Sequence, residues 1–156
     1  MFRKLALAAL VLAGLAIGAP STLPAFSLPD LAGKPHASSE YAGKPVLIDF
    51  WATWCATCKE SVPELAKLKA KYEAKGLKVV SISVDKGAVA KVDKGAKKLG
   101  ITWQVLHDPE SSLSSVFGYT GVPALYLYDA QGKLVSSLAG FDPAQEAVLD
   151  AALSKL

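Results

Sequence analysis

The chain has only two cysteines, Cys55 and Cys58, and they stand two residues apart in Trp54-Cys55-Ala56-Thr57-Cys58-Lys59. Two sulfurs at this spacing can hold zinc, form a permanent cross-link, or exchange with other disulfides. Zinc ordinarily takes four ligands, often from two such pairs. Beyond the cysteines only His36 and His107 offer soft donors, and neither has a ligand-like spacing. A permanent bridge over so short a loop removes little chain entropy and would stabilise weakly. The flanking sequence favours exchange. A helix that begins at the first cysteine directs unpaired N–H groups and its positive dipole end at that sulfur. The thiolate is the attacking species, and in such sites the free-cysteine pKa of about 8.5 falls to between ~3.5 and ~7.5. The second sulfur, about one turn on, can then close a disulfide and release a bound partner.

The elements that must position these sulfurs can be read on either side. Residues 46–51, Val-Leu-Ile-Asp-Phe-Trp, form a buried-strand pattern that runs into the motif. After it Val62, Leu65, Leu68 and Tyr72 repeat at helical spacing, with Lys67, Lys69, Lys71 and Lys75 mostly off the stripe as a solvated face. Pro63 falls inside this helix, where it removes a backbone donor and is expected to bend it, and Gly76 ends it. Residues 77–84 read as a central parallel strand. Val89, Val92, Ala96 and Leu99 mark a second helix stopped by Gly100. Residues 102–106 read as a strand and 110–117 as a short helix. Residues 124–128 and 133–139 flank a Gly-containing turn and form a hairpin. Pro143 opens a last helix, with Val148, Leu149, Ala152, Leu153 and Leu156 as its apolar residues. Upstream, residues 25–28 suggest a strand, 30–35 a turn and 38–41 a helical turn. This order predicts an α/β fold with a central mixed sheet flanked by helices and one antiparallel edge pair.

At 156 residues and 51% hydrophobic content, the chain suits one domain with a sizeable core. The net charge of +3 includes Arg3 and Lys4; without them 15 lysines face 14 acids, which gives no case for nucleic acid. Residues 1–19 read as a signal peptide or a short N-terminal membrane anchor. A positive start precedes an apolar stretch, 5–17, shorter than the ~20 residues of a membrane span. Ala16-Ile17-Gly18 resembles a cleavage site, so cleavage is the first expectation. Residues 20–24 are expected as a linker and 25–156 as the folded domain. Export, to a periplasmic or secreted location, places the cysteines where disulfides persist.

With these motifs set out, the chain is similar to the thioredoxin superfamily. Residues 46–59, with Pro63 beyond them, carry the resemblance. Phe26-Ser-Leu-Pro-Asp-Leu-Ala-Gly-Lys34 and the stretch 121–132 resemble the TlpA/ResA-like branch of exported thiol–disulfide oxidoreductases. The likeness covers nearly everything after residue 24. It implies a thioredoxin-like fold in which Pro123 is a cis proline beside the disulfide. It implies Cys55 as the exposed nucleophile, Cys58 as the resolving thiol, and Val122 as backbone that pairs with a client. Trp54, Ala56 and Thr57 would contact the client, and Trp51 and Trp54 would shield the sulfurs. Asp49 takes the place of the buried acid beneath the motif and would accept the Cys58 proton. Thioredoxins set a lysine near that acid, and the matching position here is Ser81. Relatives often carry glutamate where this chain has Ser61, so Glu60, one residue early, is expected to act at the helix N-terminus. His107 is expected in a loop.

What the resemblance implies is a protein-disulfide reductase with no cofactor and no metal. Its partners would be a disulfide-bearing client and a membrane thiol electron donor, and the chain a monomer. Cytochrome c maturation, copper-site assembly and general disulfide repair all use this family, and no residue chooses among them. A peroxiredoxin shares the Phe-x-Leu-x-Asp pattern but needs an arginine, and Arg3 is the only one. A copper(I) metallochaperone could use two soft thiolates but lacks a convincing third ligand.

Overall fold

The computed structural model describes residues 18–156, so the proposed leader, 1–19, lies almost wholly outside the described residues. A five-stranded sheet forms the centre, in the order β5-β4-β3-β6-β7. Its strands are β3 (Val46–Trp51), β4 (Lys78–Ser83), β5 (Gln104–His107), β6 (Ala124–Tyr128) and β7 (Leu134–Ala139). The β3, β4 and β5 strands are parallel, β6 runs antiparallel to β3, and β7 runs antiparallel to β6 and so in the direction of β3. The parallel connections are helical, α1 (Ala56–Tyr72) and α2 (Val89–Leu99). A short helix, α3 (Ser114–Phe117), precedes β6, and α4 (Pro143–Leu153) closes the chain. This is the expected mixed sheet flanked by helices.

Every residue of β3 is buried, as a central strand covered on both faces requires. Alternation then sorts its side chains. Leu47 packs with Val79, Leu125 and Leu127 against Leu65 and Leu68 of α1 and Leu149 and Leu153 of α4. Ile48 and Phe50 belong with Val80, Ile82 and Tyr126 to a second cluster that includes Phe117, both cysteines and Val92. Phe117 meets Phe50 and Tyr126 edge-on, with ring centroids 5.1 Å apart in both pairs. In the second cluster the aromatic rings carry most of the packing contact.

Several boundaries differ from the sequence reading. The expected turn at 30–35 extends into a second short strand, so β1 (Ser27–Pro29) and β2 (Pro35–Ala37) form a hairpin. A 3-10 turn (Ser38–Tyr41) follows, as expected. Val148 is exposed, because α4 has only one side against the sheet, and Val89 at the start of α2 is exposed as well. His107 is not in a loop: it is the buried last residue of β5, and its Nε2 lies 2.8 Å from the Asp85 carbonyl. The stretch 20–24 is no free linker. Leu23 N–H donates to the Gly132 carbonyl and Leu134 N–H to that of Ser21, which binds the segment to the β6–β7 hairpin.

Candidate active site

Cys55 is the N-cap of α1, and the Cys58 N–H donates to its sulfur at 3.1 Å. An unpaired helix N–H is thus already aimed at Sγ, the arrangement that favours negative charge there once the sulfur is free. The two cysteines are joined as a disulfide with Cα atoms 5.3 Å apart. The expectation of an exposed Cys55 needs correction. Cys55 retains 6% of its surface and Cys58 1%, so both are buried in the disulfide and the first less completely. The cover comes from the loop before β6. There the Val122–Pro123 peptide is cis, as expected, and the Val122 carbonyl oxygen lies 3.6 Å from the Cys55 sulfur.

Trp54 is 65% exposed, so it shields nothing. It forms one wall of a groove of about 680 Å³, with Val84, Lys86, Lys91, Tyr119 and Val122 among the other walls. Lysines are the only charged residues lining it. Ala56 and Thr57 are exposed on the first turn of α1, outside this lining. Trp51 is buried, and its indole N–H has no partner among the described residues.

Asp49 is 1% exposed, and burial pushes its carboxyl up from 3.8 to about 7, against a smaller opposing effect of a Ser81 hydrogen bond. Ser81 is its register partner on β4, and the Ser81 hydroxyl donates to Asp49 Oδ2 at 3.0 Å. Asp49 Oδ1 has no partner among the described residues. At neutral pH such a carboxyl can both take up and give back a proton. Ser61 rather than Glu60 faces inward. Its hydroxyl donates to the Cys58 carbonyl at 2.8 Å, while Glu60 is exposed and the first turn of α1 holds no acid. Glu60 lies beyond the first turn of α1, where the dipole acts, and one residue of offset from Ser61 turns its side chain by about 100°.

Sequence reading missed what holds the motif's leading segment. Asp85, buried just beyond β4, accepts from Thr53 N–H at 2.7 Å, Thr53 Oγ1 at 2.6 Å and Ser83 Oγ at 2.9 Å, with Lys91 Nζ 3.3 Å away. Burial alone would raise this carboxyl, but those hydrogen bonds hold it below the usual carboxylate range. An acid at the carboxyl end of a parallel strand is the one signal that could have indicated it.

The redoxin family pattern matches residues 19–153 of this chain. The chain belongs to the redoxin family. This redoxin is 30% identical over 125 residues to the thiol–disulfide oxidoreductase ResA of Geobacillus thermodenitrificans, covering 80% of this chain and 71% of the relative. ResA of Bacillus subtilis is 29% identical over 120 residues, covering 77% and 66%. Among solved structures, a Chlorobium tepidum protein described as a thiol:disulfide interchange protein DsbE superposes with a TM-score of 0.81. It is 31% identical, over 88% of this chain and 96% of that one. A secreted Mycobacterium tuberculosis disulfide oxidoreductase, 22% identical, shares the fold with a TM-score of 0.71 over 84% and 96%. With its Cys-x-x-Cys disulfide, this redoxin is a thiol–disulfide oxidoreductase of the thioredoxin superfamily, of the TlpA/ResA kind.

Proposed function

We propose that the chain is an exported protein-disulfide reductase in which Cys55 attacks and Cys58 resolves. The observation that carries this reading is the Cys55 sulfur at a helix N-cap, 3.6 Å from the Val122 carbonyl, in the less buried of the two cysteines. In the reduced protein the Cys55 thiolate attacks one sulfur of a client disulfide, and the client's other sulfur leaves as a thiolate and takes up a proton. A mixed disulfide joins Cys55 to the client. Asp49 then takes the Cys58 proton, the Cys58 sulfur attacks Cys55, and the client leaves as a dithiol while the enzyme becomes the disulfide. Two electrons pass from enzyme to client. A donor must return them, and a membrane thiol carrier is the class that could do so outside the cytoplasm.

A client strand entering the groove would lie along Val122 and Pro123, pairing with the Val122 backbone and resting on Trp54. Its approach passes Ala56 and Thr57. Direction depends on the reduction potential, where about 30 mV is worth ~1.4 kcal/mol. The Ala56-Thr57 pair, without a histidine between the cysteines, and the proton-accepting Asp49 support the reductase direction. Residues 1–19 act as the export signal, cleaved in the mature protein, which works as a periplasmic or secreted monomer. The positive start and the apolar stretch at 5–17 support that location.

Trapping tests the assignment of the two sulfurs. Reduced Cys58→Ser protein, mixed with a disulfide-bearing client such as insulin, should accumulate mixed disulfides through Cys55. Reduced Cys55→Ser protein should accumulate none. Equal trapping by both variants, or by neither, would overturn the assignment. A potential above that of the compartment's thiol pool would reverse the direction.

A further inference from the structure

Asp49 stands in a one-way chain of hydrogen bonds. The Trp103 indole N–H donates to Ser81 Oγ at 2.8 Å, and the Ser81 hydroxyl donates to Asp49 Oδ2 at 3.0 Å. Ser81 is fully buried and Asp49 nearly so, while Trp103, just before β5, is half-buried against the α1 and α4 side of the core. Indole is a donor only, and a hydroxyl has one proton to give. Trp103 takes one of the two lone pairs of the Ser81 oxygen and polarises the Ser81 O–H, which is left to donate to the carboxylate. If a protonated Oδ2 donated to Ser81 instead, the serine oxygen would accept twice and its own proton would be left without a partner in the core. No proton can pass outward through the indole. The open oxygen, Oδ1, is the one with no partner among the described residues.

We propose that Trp103 is a positioning residue: through Ser81 it fixes the Asp49 carboxyl so that Oδ1 is the oxygen that takes and returns the proton. The inference rests on the reading of Asp49 as the base in resolution. Among the described residues no ion pairs with this group, and Lys69 and Glu73, which line the surface pocket beside Trp103, are paired with each other. Across the sheet Asp49 faces Leu125, and its own face of β4 carries Val79, Ser81 and Ser83, with Asp85 just beyond and already ionised at neutral pH. His107 ends β5 beside them, held by the Asp85 carbonyl. On α1, Cys58 is the buried titratable group, and Tyr72 is committed to Asp150. On α4, Asp150 is paired with Lys71 at the surface.

Trp103→Phe removes the N–H and keeps a ring in the same space. Without that donor the Ser81 O–H is less polarised and donates more weakly to the carboxylate, so the ionised form loses support and the protonated form gains. The midpoint of the Asp49 titration should rise by roughly half a pH unit, the worth of one neutral hydrogen bond. It can be followed by the infrared carboxylic-acid band of the oxidised protein, assigned by its loss in Asp49→Asn, with no client present. Ser81→Ala should raise it by at least as much, and Trp103→Phe in the Ser81→Ala background should add nothing. If Trp103→Phe does not fold, benzothienylalanine at position 103, which keeps the bicyclic shape without the N–H, serves in its place. No shift, or the same shift with and without Ser81, overturns the proposal. The base reading is judged separately. If Asp49→Asn resolves the Cys55 mixed disulfide as fast as the parent, that reading fails, whatever the infrared band shows.

Discussion

A single buried carboxyl makes two separable predictions. In Asp49→Asn the amide cannot accept the Cys58 proton, so resolution of a preformed mixed disulfide should slow by about 100-fold, a usual share for a general base. The first attack by Cys55 should stay within a factor of two or so, since that sulfur is set by the helix N-terminus instead. Stopped-flow release of a fluorescent client separates the two steps. In the parent, resolution should quicken as pH rises through about 7, where Asp49 loses its proton. The same carboxyl also sets a stability slope. Its folded value lies above the ordinary 3.8, so its favourable contribution is complete below that pH and is lost as pH climbs towards about 7. Above that, Asp49→Asn should be the more stable protein, by on the order of 4 kcal/mol at most. Urea unfolding of the oxidised proteins across this range measures it, and a constant difference would contradict the raised value. An acid in an apolar strand was legible in the sequence, and the family resemblance set Ser81 beside it. Trp103 was not, since a side-chain bond across 22 positions leaves no periodic trace.

At the scale of elements, the approach to the motif is held by α2 as well as by the sheet. A Cβ on Gly95 would sit 2.6 Å from the Thr53 Cγ2, and Thr53 cannot swing away without breaking its bonds to Asp85. Gly95→Ala would gain about 1 kcal/mol of helix propensity. Overpacking against a fixed methyl costs about 1–3 kcal/mol, so the variant should be less stable than the parent. Thr53→Ser removes that methyl and keeps the hydroxyl, and in the double variant the stability should return, which thermal unfolding can show. Asp85→Ala, which strands the Thr53 and Ser83 donors, should cost about 3 kcal/mol. Its contribution exists above the ordinary carboxylate pKa and is lost as acid protonates Asp85, the reverse of the Asp49 slope. The strands of the sheet and the two crossover helices were readable because continuous apolar runs and three-and-four stripes report burial directly. The β1–β2 hairpin was not, since Pro35-His-Ala37 has neither pattern and is shaped by Asp30, whose carboxylate accepts the Ala32 and Lys34 N–H groups. Val148 and Trp54 misled for the opposite reason: each is apolar, and each faces outward.

Over the whole molecule, the start of the described chain runs from the loop over Cys55, at Ala19, to the β6–β7 turn at the opposite end of the sheet. Ser21 and Leu23 hydrogen-bond to the β6–β7 hairpin, and the Tyr128 hydroxyl donates to the Pro20 carbonyl at 3.3 Å. Ala19 reaches a cavity of about 440 Å³ whose other walls include Tyr119, Val122 and Pro123, the loop that covers Cys55. Residues 19–24 therefore belong to the folded unit, and a cleavage point before them leaves that unit whole. A chain starting at residue 25 would lose the two backbone hydrogen bonds, the tyrosine's partner and the packing of Leu23. At about 1 kcal/mol for each hydrogen bond, that is roughly 2–3 kcal/mol. For a domain of this size it should lower the melting temperature by about 5–10 °C relative to a chain starting at residue 19. Both proteins can be purified and melted in the oxidised state. Equal melting temperatures would return residues 19–24 to the role of a passive linker. A lower one for the shorter chain would show that residues 19–24 contribute to the stability of the folded unit.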